Sequence, residues 1–141
     1  MRSTLAVLTA LVLVAWPWVP AAGRDPSAVY PSEAAFQAAV APLRQAVQQN
    51  PRDPEARYRL GFAYFTVWRQ YEVGLVTYGR NYHQLAEAEF RAALAAVPGH
   101  LGSLLALYGL LRLRGDWDAA ESLLAELSRL MLPRGEVPAV R

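Results

Sequence analysis

Apolar residues recur at every third and fourth position through most of this chain, and nowhere do they alternate with polar ones over a useful length. The first spacing lays an apolar face along a helix, whereas the second is what a half-buried strand requires. An all-α chain is expected. "PSEAAFQAAVAPLRQAVQQNP" opens with Ser32, whose hydroxyl suits a helix N-cap after a proline, and stops at Pro51. Pro42 inside it is expected to kink or divide the helix. "PEARYRLGFAYF" places Pro54 in a first turn, behind Asp53 as N-cap. In "NYHQLAEAEFRAALAAVPG", Asn81 and Gln84 have the spacing of a capping box, and Pro98 with Gly99 closes the segment. "LGSLLALYGLLRLRG" ends at Gly115, and "DWDAAESLLAELSRLMLP" starts from Asp116 as its cap. Five helices are expected after a distinct N-terminal segment.

The intervals between equivalent residues say more than the helices do. Ala86, Phe90, Leu94 and Pro98 echo Ala39, Leu43, Val47 and Pro51 at a distance of 47 residues, and Leu60, Gly61 and Tyr64 have Leu107, Tyr108 and Leu111 at the same distance downstream. Ala86 and Phe90 are followed by Ala120 and Leu124 after only 34. Thirty-four residues is the period of the tetratricopeptide (TPR) repeat, with Leu-Gly-x-x-Tyr on a first helix and Ala-x-x-x-Phe, closed by Pro, on a second. "LGFAY" at 60–64, "AEAEF" at 86–90 and Pro98 carry that resemblance.

The resemblance implies a short α-solenoid of stacked antiparallel helix pairs. A linker and N-terminal helix at 24–53 would form a partial repeat, 54–100 a full repeat, 101–134 a degenerate one and 135–141 a tail. Small Gly61, Ala86 and Ala93 would let helices approach closely, with Tyr64 and Phe90 filling between them. The second repeat departs from the pattern: Tyr108 stands where the family prefers Gly, Leu111 where it prefers Tyr, and Leu124 where it prefers Phe.

Within the full repeat the two helices are too far apart in sequence. From Tyr64 to Ala86 is 22 residues, against 9 from Leu111 to Ala120, an excess of 13. "TVWRQYEVGLVTYGRNYHQ", residues 66–84, holds that excess, and it is aromatic where a surface connection is usually short and polar. Tyr64, Trp68, Tyr71 and Leu75 recur at helical spacing and predict that the first helix runs on through Val76, with Gly74 and Gly79 arguing against continuity. Three explanations stay open. Trp68, Tyr71, Tyr78 and Tyr82 could cover an end of the solenoid, since terminal repeats need capping. The same aromatics, flanked by Arg69 and Arg80, have the composition of a binding hot spot. Membrane contact through the rings is the third.

The TPR resemblance implies a second surface, the groove lined by the first helix of each pair. By helical spacing it would carry Glu55, Tyr58, Phe62, Phe65, Arg69, Leu105, Gly109 and Arg112. The Lys/Asn/Arg clamp with which some members hold a partner's terminal carboxylate is not apparent. The N-terminal helix or the tail "PRGEVPAVR" filling this groove is the competing reading. From both surfaces the candidate partner-binding residues are Tyr58, Phe62, Phe65, Trp68, Arg69, Tyr71, Tyr78 and Arg112.

Composition narrows the rest. The chain has 141 residues, 54% hydrophobic and 18% charged, enough for one compact domain with a real core. Fourteen arginines against twelve acids give a formal charge of +2, and the arginines are dispersed, so no basic strip for nucleic acid emerges. Lys, Ile and Cys are absent, a bias that points to a GC-rich bacterial genome and excludes disulfides and thiolate chemistry. Met1 and Arg2, the apolar run Leu5 to Val19 and the small residues of "VPAAG" predict a secretory signal over residues 1–23. Fifteen apolar residues fall short of the roughly 20 that span a bilayer as a helix. Trp16 and Trp18 would nevertheless suit an uncleaved anchor at a membrane interface.

Catalysis finds no constellation. His83 sits at a helix start and His100 in a turn, Glu87 and Glu89 do not share a helical face, and Asp116 with Asp118 suits helix-start chemistry. Ser103 and Ser122 lack a His-and-acid set, and no phosphate-binding loop follows a strand. The sequence therefore predicts a non-enzymatic scaffold without cofactor or metal, exported to the periplasm or cell envelope and docking another envelope protein. The alternative is an accessory subunit of a membrane complex, held by an uncleaved N-terminal helix. Pairing of two copies stays open.

Overall fold

A computed structural model describes residues 28–131 as five helices in succession: α1 (Glu33–Gln49), α2 (Pro54–Glu72), α3 (Tyr82–Ala96), α4 (Leu101–Arg114) and α5 (Trp117–Met131). The predicted leader and the tail at 135–141 lie outside the described residues. Among these residues there is no strand, and no helix is long and apolar enough to cross a membrane.

The helix starts follow side-chain chemistry. Ser32 Oγ accepts the Ala35 N–H (3.2 Å), and Asp53 Oδ1 accepts the N–H groups of Glu55 (2.9 Å) and Ala56 (3.3 Å). Each satisfies donors that the first turn leaves without a partner, worth about 1 kcal/mol per cap. His100 does the same for α4, its Nδ1 accepting the Ser103 N–H at 3.2 Å. Asn81 stands at the N-cap of α3 but its side chain makes no capping bond; the Gln84 N–H goes instead to the Asn81 carbonyl (3.1 Å), so the expected capping box does not form. Pro42 neither breaks nor divides α1. Both Pro42 and Ala38, whose carbonyl loses its partner, face solvent, where water can take that bond.

The end of α2 also corrects the sequence. The helix stops at Glu72 rather than running through Val76. Gly74 takes φ +76°, and its N–H bonds to the Tyr71 carbonyl (3.0 Å) while the Leu75 N–H bonds to that of Gln70 (2.8 Å). This paired closure with a left-handed glycine satisfies the last carbonyls. Gly115 (φ +78°) ends α4 identically, with Asp116 N–H on the Leu111 carbonyl. Leu75, at helical spacing from Tyr71, points to solvent, so continuing the helix would bury nothing through it. The excess residues thus lengthen α2 as far as Glu72 and then form the loop 73–81.

Successive helices pack on one another, and α2 also touches α4, the skip-one contact of a solenoid. The closest pair is α2 with α3. A Cβ built on Gly61 would lie 2.8 Å from Cε1 and 2.9 Å from Cδ1 of Phe90, so the ring rests on bare backbone. Phe90, Ala86 and Ala93 are wholly buried. Arg57 fixes the register across this seam with a 2.9 Å ion pair to Glu89.

At the N-terminal end the core is aromatic. Phe36 of α1 packs within 5.4–6.5 Å, ring to ring, of Tyr30, Tyr64, Tyr78 and Tyr82. The Tyr82 hydroxyl is satisfied from both sides: it donates to Glu33 Oε1 (2.6 Å) and accepts from Gln37 Nε2 (2.7 Å). Burial, then the bond to Glu33, pushes its pKa up to about 12. Toward the C-terminus the core turns aliphatic, with Leu104, Leu107, Leu110 and Leu111 of α4 buried and only Ala120 and Leu127 contributed by α5.

Candidate functional site

Three local arrangements hold the residues singled out from the sequence. The first is an aromatic ridge along α2. Tyr58, Phe62, Phe65 and Trp68 succeed one another at helical spacing, their neighbouring rings 5.7, 6.2 and 6.0 Å apart. Tyr58 and Phe65 also lean on Phe90, which fixes the ridge against α3. Tyr58, Phe62 and Phe65 are half-buried, Trp68 is buried and Arg69 is exposed. The Tyr58 ring seats against Gly102 of α4, where a Cβ would approach it to 3.3 Å, and lies 5.7 Å from the His100 ring. Across from the ridge, α4 offers Leu105, 49% exposed, and Gly109, where an added Cβ would meet nothing within 4 Å. This is an open face between the two first helices.

The second arrangement explains Tyr78. Its hydroxyl donates to the Tyr30 carbonyl (2.9 Å), and Gln70 Nε2 donates to the Ala28 carbonyl (3.0 Å). The insertion thus holds the segment that leads into α1, and the Tyr30 ring lies on Phe36. Burial, followed by the nearby Glu33 carboxylate, raises the pKa of Tyr78, which favours the protonated donor. Val76 is buried in the same loop. Gly79 (φ +90°) lies so close to Val67 that a Cβ would come within 2.9 Å of its Cγ1, which leaves only glycine comfortable there.

The third is a cleft of about 600 Å3 at the far end of the ridge. Trp68, Tyr71 and Glu72 come from the end of α2, Arg80, Asn81 and His83 from the start of α3, and Leu113 and Arg114 from the end of α4. His83 Nδ1 must donate, since its partner at 3.1 Å is the Arg80 carbonyl, and its ring lies 5.5 Å from Trp68. Arg114 bonds to Glu87, which also takes Arg91 at 2.8 Å. Burial pulls the Glu87 carboxyl upward, but the two guanidiniums outweigh it and hold its pKa below the usual range.

Of the predicted residues, Tyr58, Phe62, Phe65 and Trp68 are therefore brought together, and Tyr71 shares the cleft with Trp68. Tyr78 faces the N-terminal segment. Arg112 is placed apart, stacked over Tyr108 (5.8 Å) and Trp117 (5.3 Å) near the α4–α5 turn. The cleft draws in Leu113 and Arg114, which sequence reasoning missed. A partial signal existed: the offset of 47 that aligns Leu60 with Leu107 also aligns Val67 with Arg114, one residue before Trp68 of the cleft. Among the described residues no three His, Asp or Glu gather as a metal site. His100 is engaged in capping, with Glu55 Oε2 3.5 Å from its Nε2.

Compared with known proteins, residues 35–67 match the TPR repeat family, a stretch that runs from α1 across the turn into α2. No curated protein and no solved structure matches the chain.

Proposed function

We propose, from the match of residues 35–67 to the TPR repeat family, that the chain is a non-catalytic scaffold exported to the bacterial periplasm or cell envelope, where it docks a segment of another envelope protein. The observation that carries the binding role is the open face between α2 and α4. The ridge Tyr58, Phe62 and Phe65 is rigidly backed by Phe90, Arg69 and Leu105 are exposed, and Gly109 leaves room for an occupant. A preformed aromatic face loses little entropy when a partner segment docks, which suits helix-in-groove or extended-peptide recognition. In this reading α2 and α3 are one repeat, lengthened by the insertion, and α4 and α5 are a degenerate second.

Export rests on Met1 and Arg2, the apolar run Leu5 to Val19 and "VPAAG". The second reading, an accessory subunit of a membrane complex, rests on Trp16 and Trp18 at the end of that run. The intact mass of protein from its host, measured in soluble and membrane fractions, separates them. A mass lacking residues 1–23 in the soluble fraction supports the free scaffold, and a full-length mass in the membrane fraction supports the subunit. The binding role is tested by affinity capture from the host. Gly109→Trp plugs the face without meeting any neighbour near its Cβ, and it should abolish capture of the partner while thermal stability holds. Undiminished capture by this variant contradicts the assignment of that face.

A further inference from the structure

The rings of the insertion turn inward, and its apolar residues that face water sit together at its tip. Val73 and Leu75, 64% and 62% exposed, flank Gly74, whose φ of +76° turns the chain and where an added Cβ would meet nothing within 4 Å. They project from a convex turn with open space around it. Gln70 brings a third apolar residue to the same place. Its carbonyl accepts the Leu75 N–H (2.8 Å), and its Nε2 donates to the Ala28 carbonyl (3.0 Å). Tyr78 holds the Tyr30 carbonyl two residues further on (2.9 Å), and between these pinned carbonyls Val29 is 53% exposed. Exposed apolar residues that cluster mark contact with a protein or a membrane.

The length of chain before Ala28 selects the membrane. Ala28 follows Val19, the last residue of the apolar run, by nine residues, a reach of at most about 30 Å. A bilayer that holds the run therefore has this tip at its surface. Shape agrees, since a projecting tip needs a matching pocket on a protein but none in a lipid interface. Charge does not compete: exposed Arg69 and Arg80 are balanced by exposed Glu33 and Glu72. We propose that Val29, Val73 and Leu75 rest in the headgroup boundary of the bilayer that anchors Leu5 to Val19, so that the solenoid stands on the membrane by its insertion end. This rests on the second reading above, the membrane-held subunit, and adds its orientation. Three such side chains carry fewer carbons than one fatty-acyl chain, which alone binds a bilayer only marginally. The tip thus orients a tethered protein and does not recruit a free one.

The test is to reconstitute the full-length chain in phosphatidylcholine vesicles containing a phosphatidylcholine with a photoreactive diazirine near the head of its acyl chain, and to map lipid adducts by mass spectrometry. Cleavage after Arg releases the tip as residues 70–80, Val29 within 25–44, and the turn between α3 and α4, at the other end of these helices, within 92–112. Adducts are expected in the first two peptides and in the leader. None is expected in 92–112, although Val97 and Leu101 there are 43% and 44% exposed. Val73→Ser with Leu75→Ser should reduce labelling of 25–44 to the level of 92–112 while leader adducts and melting temperature hold. Adding anionic phosphatidylglycerol to the vesicles should change nothing. Leader adducts with an unlabelled tip overturn this proposal alone, and leave a protein as the tip's partner. Equal labelling of 92–112, or tip labelling only in anionic vesicles, would show general or charge-driven adsorption and also overturns it. An intact mass from the host that lacks residues 1–23 sinks the anchored reading, and this orientation with it.

Discussion

The pairs α2–α3 and α4–α5 carry equivalent residues on their helices, but 22 residues separate Tyr64 from Ala86 against 9 from Leu111 to Ala120, and the two pairs pack differently. In the first, bare Gly61 receives the ring of Phe90, which is wholly buried. At the equivalent positions the second has Tyr108 and Leu124, and Leu124 is 46% exposed. In the second pair α5 buries only Ala120 and Leu127, while Leu130 and Met131 are more than half exposed. The seat that Gly61 gives Phe90 has no counterpart in the second pair, where Tyr108 stands at the equivalent position. The first pair is also braced at its outer end by α1 and the insertion, while α5 is the last of the described helices.

The comparison can be broken in order of effect. Phe90→Ala should cost about 3–5 kcal/mol in denaturant unfolding, because it leaves a cavity in the tightest seam. Loss of less than about 1 kcal/mol would mean that α2 and α3 are not packed as described. Alkaline pH should act next, again on the braced end. The folded pKa of Tyr82 lies near 12, above the ordinary value of 10.0, so its stabilisation is intact below pH 10 and disappears as pH rises toward 12. A shift of that size corresponds to at most about 2–3 kcal/mol. Tyr82→Phe should make the fall of melting temperature across that window shallower, and an unchanged slope would reject the assignment.

Smaller effects separate the two glycines. Gly61→Ala pushes a methyl into Phe90 and should cost about 1–3 kcal/mol despite its better helix propensity. Gly109→Ala adds the same methyl to open space in α4 and should stabilise by about 0.5–1 kcal/mol. Opposite signs for one chemical change are the sharpest form of the comparison, and thermal melts of both variants would show them. Leu124→Ala should stay within about 0.5 kcal/mol, as expected for a surface site.

Much of this was readable in the sequence because it is local. Ser32 and Asp53 cap their helices and Gly115 ends α4, each from residue type and spacing alone, while the close approach at Gly61 with Phe90 is what the TPR resemblance implied. What was not readable depended on partners distant along the chain. The apolar spacing of Leu75 suggested a longer α2, but no helix lies beside that position to bury it, and Gly74 closes the helix instead. Asn81 had the spacing of a capping box, yet its backbone (φ −100°, ψ 7°) is not the extended one of an N-cap, and the Gln84 N–H goes to its carbonyl. Trp68 and Arg69 were equally eligible as surface residues until the neighbouring helices buried one and left the other exposed. The cleft joins three helix ends, and Leu113 and Arg114 carry no motif of their own.

In the proposed binding mode the face between α2 and α4, rather than the exposed side of α5, meets the partner. Site-specific photo-cross-linking in the host tests this directly, with a photoreactive residue placed in turn at Arg69, Leu105, Leu124 and Leu130. The account predicts one discrete protein adduct from Arg69 and Leu105 and none from the two α5 positions. An adduct confined to Leu124 and Leu130 would contradict it and make the exposed side of α5 the interface.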